Sequence, residues 1–369
     1  MAQTAELFRP TSIDRLAEML RTASDDGRSV GIRGAGSKET WGGVGAPVDA
    51  VLSTRGLDRI VEHAAGDLVI TVEAGVALAD VQRTVAAAGQ WLALDPPEPG
   101  ATVGGVVATA ASGPRRLRYG TPRDLLIGIT VVLADGTVAK SGGKVVKNVA
   151  GYDLGKLFTG SFGTLGVIAE CTFRLHPRQP ALRAVSTPTH DPAERFAEVL
   201  ATGGEPAAAE WDGTTLTTVF ESIEAAADEQ AERAILAIGG QLSDAVPPGF
   251  GARPWDATSV GLKVTHRLGA TSDAIAAVRS ATPNARLRVA AGSGVVLAGV
   301  GADDLGALDS LRKSIAALDG QVVVASAPEE AKRDVDVWGP VRGLPVMQRI
   351  KEQFDPDGRM CPGRFVVQP

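Results

Sequence analysis

Glycine gathers at four places in the first half of this chain: residues 31–38 (GIRGAGSK), 99–113 (PGATVGGVVATAASG), 141–148 (SGGKVVKN) and 159–168 (TGSFGTLGVI). The stretch 147–168, KNVAGYDLGKLFTGSFGTLGVI, holds five glycines among apolar and small hydroxyl residues. Surface loops are rarely this apolar, and regular core elements rarely carry this much glycine, which costs backbone entropy on ordering. One such loop reads as a turn or a close strand contact. Four of them predict an extended groove lined by main chain, along which a large ligand lies.

Composition narrows what that ligand is. At 369 residues the chain is long enough for two domains. A net charge of −6 leaves no basic surplus to neutralise a nucleic-acid backbone. Eleven Tyr or Phe and five Trp are too few for base-stacking platforms. The apolar run 101–111 falls far short of the roughly 20 residues a membrane span needs. The opening residues, MAQTAELFRPTSIDRL, lack a charged start followed by an apolar block, so no export signal is expected. Cys171 and Cys361 form no disulfide or metal pattern, and His63, His176, His190 and His266 are not at ligand spacing. No metal is expected, and a reducing cytoplasm is the expected setting.

Along the chain, Ser12 caps a predicted helix with Ile13, Leu16, Ala17 and Leu20 on one face. SVGIR is a short strand running into the first glycine loop, and DLVITVEAG is a buried strand. ALADVQRTVAAAG is a helix with Leu78, Val81 and Val85 inward and Gly89 as its stop. Residues 124–143 form a hairpin across Asp135-Gly136, and GVIAECTFRLHP is a strand ended by Pro177. Residues 177–194 are rich in proline and polar residues and read as a linker. The stretch 261–327 then alternates as βαββαβ, the ferredoxin-like arrangement.

Two common nucleotide signatures fail. A Rossmann fingerprint starting at Gly34 needs a third glycine where Glu39 stands. A Walker loop ending at Gly143-Lys144 needs glycine at Val138 and a hydroxyl residue at Val145. The physics of anion binding survives. Glycines after a strand can turn amide N–H groups towards a diphosphate, with Ser37 as a further donor and Arg33 and Lys38 as nearby charge. Thr102 and Gly104-Gly105 can open a helix whose small residues let a planar ligand approach the backbone.

The motifs RGAGSK, PGATVGGVVA, the block 119–168 and FDPDGRMCPGR resemble those of FAD-linked oxidases of the vanillyl-alcohol oxidase type. Within them they are most similar to the FAD-binding E subunits of bacterial glycolate oxidases. The likeness is densest over 28–178 and 336–366; the middle agrees in layout more than in motif. It implies an α+β protein with a PCMH-type FAD-binding domain over 1–178. A ferredoxin-like α+β cap domain follows over 179–335, and a C-terminal segment, 336–369, returns to the FAD domain. It implies FAD bound by Arg33, Gly34, Ala35, Gly36, Ser37 and Lys38 at the pyrophosphate. Thr102, Gly104, Gly105, Thr109, Ala110, Ser112 and Gly113 would line the pyrophosphate, ribityl and ring system. Gly163, Gly166, Val167 and Ile168 would pack on the cofactor through their backbone.

The chain also departs from that family. Relatives that hold FAD covalently do so through a histidine or cysteine in these loops. Here Ser37 stands in the first loop and no Cys or His lies between 64 and 170, so non-covalent FAD is implied. Residues 110–113 read Ala-Ala-Ser-Gly, and Cys361 precedes Pro362-Gly363 as a packing residue. Oxidising a 2-hydroxy acid needs a base for the hydroxyl proton and a cation for the carboxylate. The second half offers only His190, in the linker, and His266, alone on a strand. Arg115, Arg116 and Arg118 are candidate carboxylate clamps, or else a solvated loop or subunit contact; Arg123-Asp124 reads as a local ion pair. Lys147, Asn148, Tyr152 and Asp153 could fix a loop over the flavin, and no catalytic residue is assigned. Three readings stay open. The first is an accessory or electron-relay subunit of glycolate oxidase, beside a catalytic flavoprotein and an iron–sulfur subunit. Its expected setting is cytoplasmic, reaching the inner face of a membrane through the complex. The second is a self-sufficient FAD-dependent 2-hydroxy-acid dehydrogenase, and the third a scaffold with a vestigial groove.

Overall fold

The computed structural model describes residues 5–143 and 153–366. Its first sheet is parallel, with Ala50–Ser53 between Glu6–Phe8 and Val30–Arg33. Parallel neighbours need a crossover, and the helix Ile13–Asp25 lies between the outer two strands in sequence. The Ser12 hydroxyl caps that helix by accepting from Arg15 N at 3.2 Å. Leu16, Ala17 and Leu20 pack in a cluster with Val132 and Val167 of the next sheet.

The second sheet is antiparallel, in the order Ile60–Ala64, Val69–Glu73, Val167–Arg174, Leu126–Val132, Val138–Gly142. Val69–Glu73 is buried at every residue, as its apolar run requires. The helix Leu78–Ala86 turns Leu78, Val81 and Val85 inward. The hairpin turns at Asp135-Gly136, where the Thr137 N–H and hydroxyl both donate to the Asp135 carboxylate. The short helix Val103–Thr109 presses so close to this sheet's edge that a Cβ on Gly104 would meet Ala74 Cβ at 2.7 Å.

The third sheet has eight antiparallel strands. The βαββαβ predicted over 261–327 supplies four, in the order Arg286–Ala290, Val295–Val300, Val260–Thr265, Gln321–Ser326. The other four repeat the same arrangement over 181–243, in the order Gln241–Ser243, Ala181–Pro188, Thr215–Ser222, Ala208–Trp211. The two units join edge to edge where Ala208–Trp211 pairs with Arg286–Ala290. Part of the expected linker is therefore a strand. Pro180 and Pro188 bracket it, where they break no interior ladder bond, while Ala184, Val185 and Thr187 bury.

Strand parity sets what each face of this sheet does. Val260, Leu262 and Val264 go under the helices Thr271–Ala281 and Leu308–Ala316. Gly261 and Lys263 take the opposite face, where a Cβ on Gly261 would strike the Trp255 ring at 2.4 Å. That face looks onto the glycine-rich half of the chain.

The C-terminal segment returns to the first sheet. Val30 N–H donates to Arg359 O and Cys361 N–H to Val30 O, both at 2.8 Å. The fully buried Asp355 holds this turn, accepting from Arg359 N at 3.0 Å and Met360 N at 2.8 Å and pairing with Lys351. Lys351 Nζ also donates to Thr164 O at 2.8 Å, which ties the tail to the fourth glycine cluster. Breaking a buried ion pair from one side costs about 3–5 kcal/mol. Lys351→Met is expected to lower stability by about that much in chemical denaturation.

Candidate cofactor-binding site

Three of the four glycine clusters converge on one groove of about 310 Å³. Arg33, Gly34, Ala35, Gly36, Ser37 and Lys38 form one wall, and Thr102, Gly104, Gly105 and Thr109 another. Gly163, Gly166 and Ile168 close it from the second sheet, with Cys361, Pro362 and Arg364 of the returning tail. The N–H groups of Ala35, Gly36, Ser37 and Lys38 find no acceptor among the described residues. Four consecutive unpaired donors are what a diphosphate would satisfy. Gly36 reaches this conformation at φ +79°, open to glycine and strained for other residues. Thr102 caps the helix Val103–Thr109, its hydroxyl accepting from Gly105 N.

Charge at the groove is tightly managed. Lys38 is buried and lies 3.7 Å from Glu98, and burial holds its pKa below the ordinary lysine value. Glu98 also binds Arg253 at 2.8 Å, and Arg253 lies over both Trp41 and Trp255, at 5.2 and 5.7 Å. Arg33 pairs with Glu39 at 2.5 Å, and Arg364 donates to Glu39 O at 2.7 Å. Cys361 packs as expected: buried, it receives the Ile32 N–H at 3.3 Å, and burial pushes its thiol pKa up.

A second, smaller cavity of about 60 Å³ adjoins the groove and shares Thr109 with it. Ala110, Ala111, Ser112 and Gly113 line this second cavity. The inward face of the eight-stranded sheet covers it with Glu210, Lys263, Arg288 and Leu297, and Arg116, Arg253 and Trp255 complete it. Glu210 accepts from Gly251 N at 2.8 Å and Arg288 at 3.0 Å; burial pushes its pKa up to about 7. Asp95 pins the loop beneath, accepting from Gly113 N and Arg115 N at 3.0 Å each.

The predicted residues thus fall into two adjoining spaces. Thirteen of the seventeen line the groove, and Ala110, Ser112 and Gly113 the second cavity. Val167 lines neither; its side chain is in the core with Leu16 and Val132. The three arginines separate. Arg115 binds Glu221 at 2.7 Å and Arg118 donates to Glu221 O at 2.8 Å, so they clamp the two halves of the chain together. Only Arg116 of the three faces the cavity. Asp124 accepts from Thr121 N and its hydroxyl, both at 2.8 Å, and caps a helical turn rather than pairing with Arg123. Among the described residues no histidine lines either space. His266 Nδ1 lies 2.9 Å from Arg267 O, and His63 bonds Gln90. Lys147, Asn148 and Tyr152 lie outside the described residues.

Sequence reasoning passed over Glu98, Arg253, Lys263 and Arg364. Lys263 had a visible signal: it stands between Leu262 and Val264 on a strand, on the face that carries no apolar residue. Arg253 and Glu98 had none, since their pairing spans 155 residues.

The groove fits FAD, and Gly105 tests that fit. A Cβ there would meet only Thr102 Oγ1, at 3.1 Å, and otherwise fill groove space. Gly105→Val is expected to keep the fold, since valine is no worse than glycine in a helix. It should weaken FAD binding about tenfold or more, read by quenching of flavin fluorescence, which is about 1.4 kcal/mol. Lys263 makes a second prediction. Burial first, then repulsion by Arg116 and Arg253, lowers its pKa from 10.5 to about 8. Between those values the unfolded chain holds a proton that the folded chain has released, so Lys263 makes stability rise with pH there. Lys263→Met is expected to remove that rise from the pH dependence of unfolding.

Comparison with known proteins agrees with the geometry. Residues 4–142 match the family described as FAD binding domain. The chain is 33% identical over 221 residues to glycolate oxidase subunit GlcD of Bacillus subtilis (strain 168), covering 58% of this chain and 46% of that protein. It is 38% identical over 169 residues to glycolate oxidase subunit GlcE of Escherichia coli (strain K12), covering 45% and 47%. The chain spans about half the length of these curated relatives. A solved structure of alkyldihydroxyacetonephosphate synthase superposes with a TM-score of 0.70 over 96% of this chain and 76% of that one, at 15% identity. That is a likeness of fold. Over residues 4–142 this chain carries an FAD binding domain.

Proposed function

We propose that this chain is an FAD-carrying subunit of a multi-subunit glycolate oxidase, the complex converting glycolate to glyoxylate. In this reading it is an accessory or electron-relay flavoprotein beside a catalytic flavoprotein and an iron–sulfur subunit. One contrast carries the reading: a glycine groove with four unpaired amides, and no histidine lining either space among the described residues. Similarity to both glycolate oxidase subunits supports it. Bound FAD would supply two-electron redox chemistry at the end of the groove.

The amides of Ala35–Lys38 would hold the diphosphate, with Lys38, Arg33 and Arg364 offsetting its charge. Gly104, Gly105 and Thr109 would admit the ribityl chain, and Ala110–Gly113 the ring system. Gly163, Gly166, Val167 and Ile168 would contribute backbone groups. Attachment would be non-covalent: Cys361 is the one cysteine at the groove among the described residues, and a buried thiol with a raised pKa is a poor nucleophile. In this reading residues 1–178 form the FAD domain, 179–335 the cap and 336–369 the returning segment. No helix among the described residues is long and apolar enough to cross a membrane. A cytoplasmic complex, reaching the inner membrane face through its partners, is the proposed setting.

One observation favours a second reading, a self-sufficient 2-hydroxy-acid dehydrogenase: Arg116 and Lys263 face the second cavity, and among the described residues neither side chain has a hydrogen bond or ion pair. The anaerobic visible spectrum of the FAD-loaded chain separates the two. An oxidised flavin band unchanged by glycolate, then bleached once the partner subunits are added, is the expected result. Bleaching by glycolate alone would replace the accessory reading with the second.

A further inference from the structure

Lys332 is almost wholly buried, yet its ammonium pairs with no carboxylate among the described residues. Its Nζ donates instead to two main-chain carbonyls, Thr40 O and Gly42 O, each at 3.0 Å. Taking a cation out of water for two neutral acceptors is costly, and a site needed only for packing is better filled by an apolar residue. What the ammonium holds accounts for its presence. Thr40 and Gly42 follow directly on the first glycine loop, whose amides at 35–38 find no acceptor among the described residues. Arg364 takes the two carbonyls before them, donating to Glu39 O at 2.7 Å and Lys38 O at 3.4 Å. Four of the five carbonyls of 38–42 are thus bonded to a cation from the C-terminal part of the chain. The same stretch is stitched to the edge of the eight-stranded sheet. Gly42 N–H donates to Ala325 O and Ala327 N–H to Thr40 O, both at 3.2 Å.

We propose that Lys332 is a positioning residue for the first glycine loop: its ammonium clasps the backbone at 40–42 and so holds the 35–38 amides towards the groove. The path back into the loop is short. Trp41 N–H closes on Lys38 O at 3.1 Å and Glu39 N–H on Gly36 O at 3.2 Å, so a shift at 40–42 reaches the unpaired amides. Lys332 ends the short helix Glu329–Lys332, which follows the edge strand Gln321–Ser326. The clasp therefore makes the shape of the loop depend on how the eight-stranded sheet is seated. Coupling of this kind is reciprocal, so a diphosphate that orders the loop also tightens the sheet's hold on it.

The inference rests on the FAD reading for what the loop binds, so its test has one arm without flavin. In the flavin-free chain, hydrogen exchange is followed at the bonded amides of Glu39, Trp41, Gly42 and Gly43. Lys332→Met leaves two carbonyls without their donor and is expected to speed that exchange about tenfold, with the strands of the second sheet unchanged. In the other arm FAD is titrated and read by quenching of its fluorescence. Lys332→Met weakens binding about tenfold, and Lys332→Arg, which keeps the charge, restores part of it. Burial, then repulsion by Arg364 of the tail, lowers the Lys332 pKa from 10.5 to about 8, and Glu329 of its own helix opposes the shift. FAD affinity therefore falls as pH rises past about 8, where the clasp loses its proton. Lys38, on the gripped stretch, also has a lowered pKa and adds a fall of its own. The diagnostic is the difference: the fall is shallower in Lys332→Met and in Lys332→Arg, whose charge does not titrate there. A side chain that only filled space would leave the pH profile alone. If Lys332→Met does not fold, the profile of Lys332→Arg decides. Unchanged exchange at the four amides overturns the clasp, as does an FAD affinity equal to that of the unaltered protein at every pH. If neither protein takes up FAD, the flavin reading falls and exchange alone decides the clasp.

Discussion

Everything at the groove depends on two short stretches of backbone lying side by side, Val30 and residues 359–361. They are more than 300 residues apart in sequence, and their pairing brings Cys361, Pro362 and Arg364 against the first glycine loop. Main-chain bonds alone do not hold a terminal segment against fraying. The buried Asp355 does, by accepting from Arg359 and Met360 and pairing with Lys351, whose ammonium reaches Thr164. One carboxylate thus links the tail, the first loop and the fourth glycine cluster.

The second constraint is a division of labour across the eight-stranded sheet. Two βαββαβ units join edge to edge, so their helices all bury one apolar face, while the other face carries polar residues beside a small apolar cluster of Ala184, Ala208 and Val219. Glu210, Lys263 and Arg288 stand on three different strands of that face and meet in one cavity. Ion pairs fasten the sheet to the flavin side: Arg115 on Glu221, and Arg253 between Glu98 and two tryptophans. Lys38 at the groove and Arg253 at the cavity share Glu98, so the charge state of one space is felt in the other.

Much of this was legible in the chain, and the failures have a common cause. Local signals read true: Ser12 capping Ile13–Asp25, the Asp135-Gly136 hairpin, the buried strand Val69–Glu73 and the βαββαβ of 261–327. The glycine clusters pointed to a backbone-lined groove because glycine's signature is local as well. The strand Ala181–Pro188 hid behind its flanking prolines, and with it the second βαββαβ unit. A search for histidines looked past Lys263, although its place between two apolar strand residues marks it as facing away from the core. Long-range partners such as Arg253 with Glu98, or Arg115 with Glu221, leave no mark in composition or period. They are decided by how sheets stack.

The account stands or falls on a non-covalent dinucleotide in the glycine groove. The direct measurement is to purify the chain, precipitate it with acid and assay flavin in supernatant and pellet. One FAD per chain, all of it in the supernatant, is the predicted result. Flavin retained in the pellet would contradict non-covalent binding, and a chain that takes up no FAD even when it is supplied would contradict the groove itself.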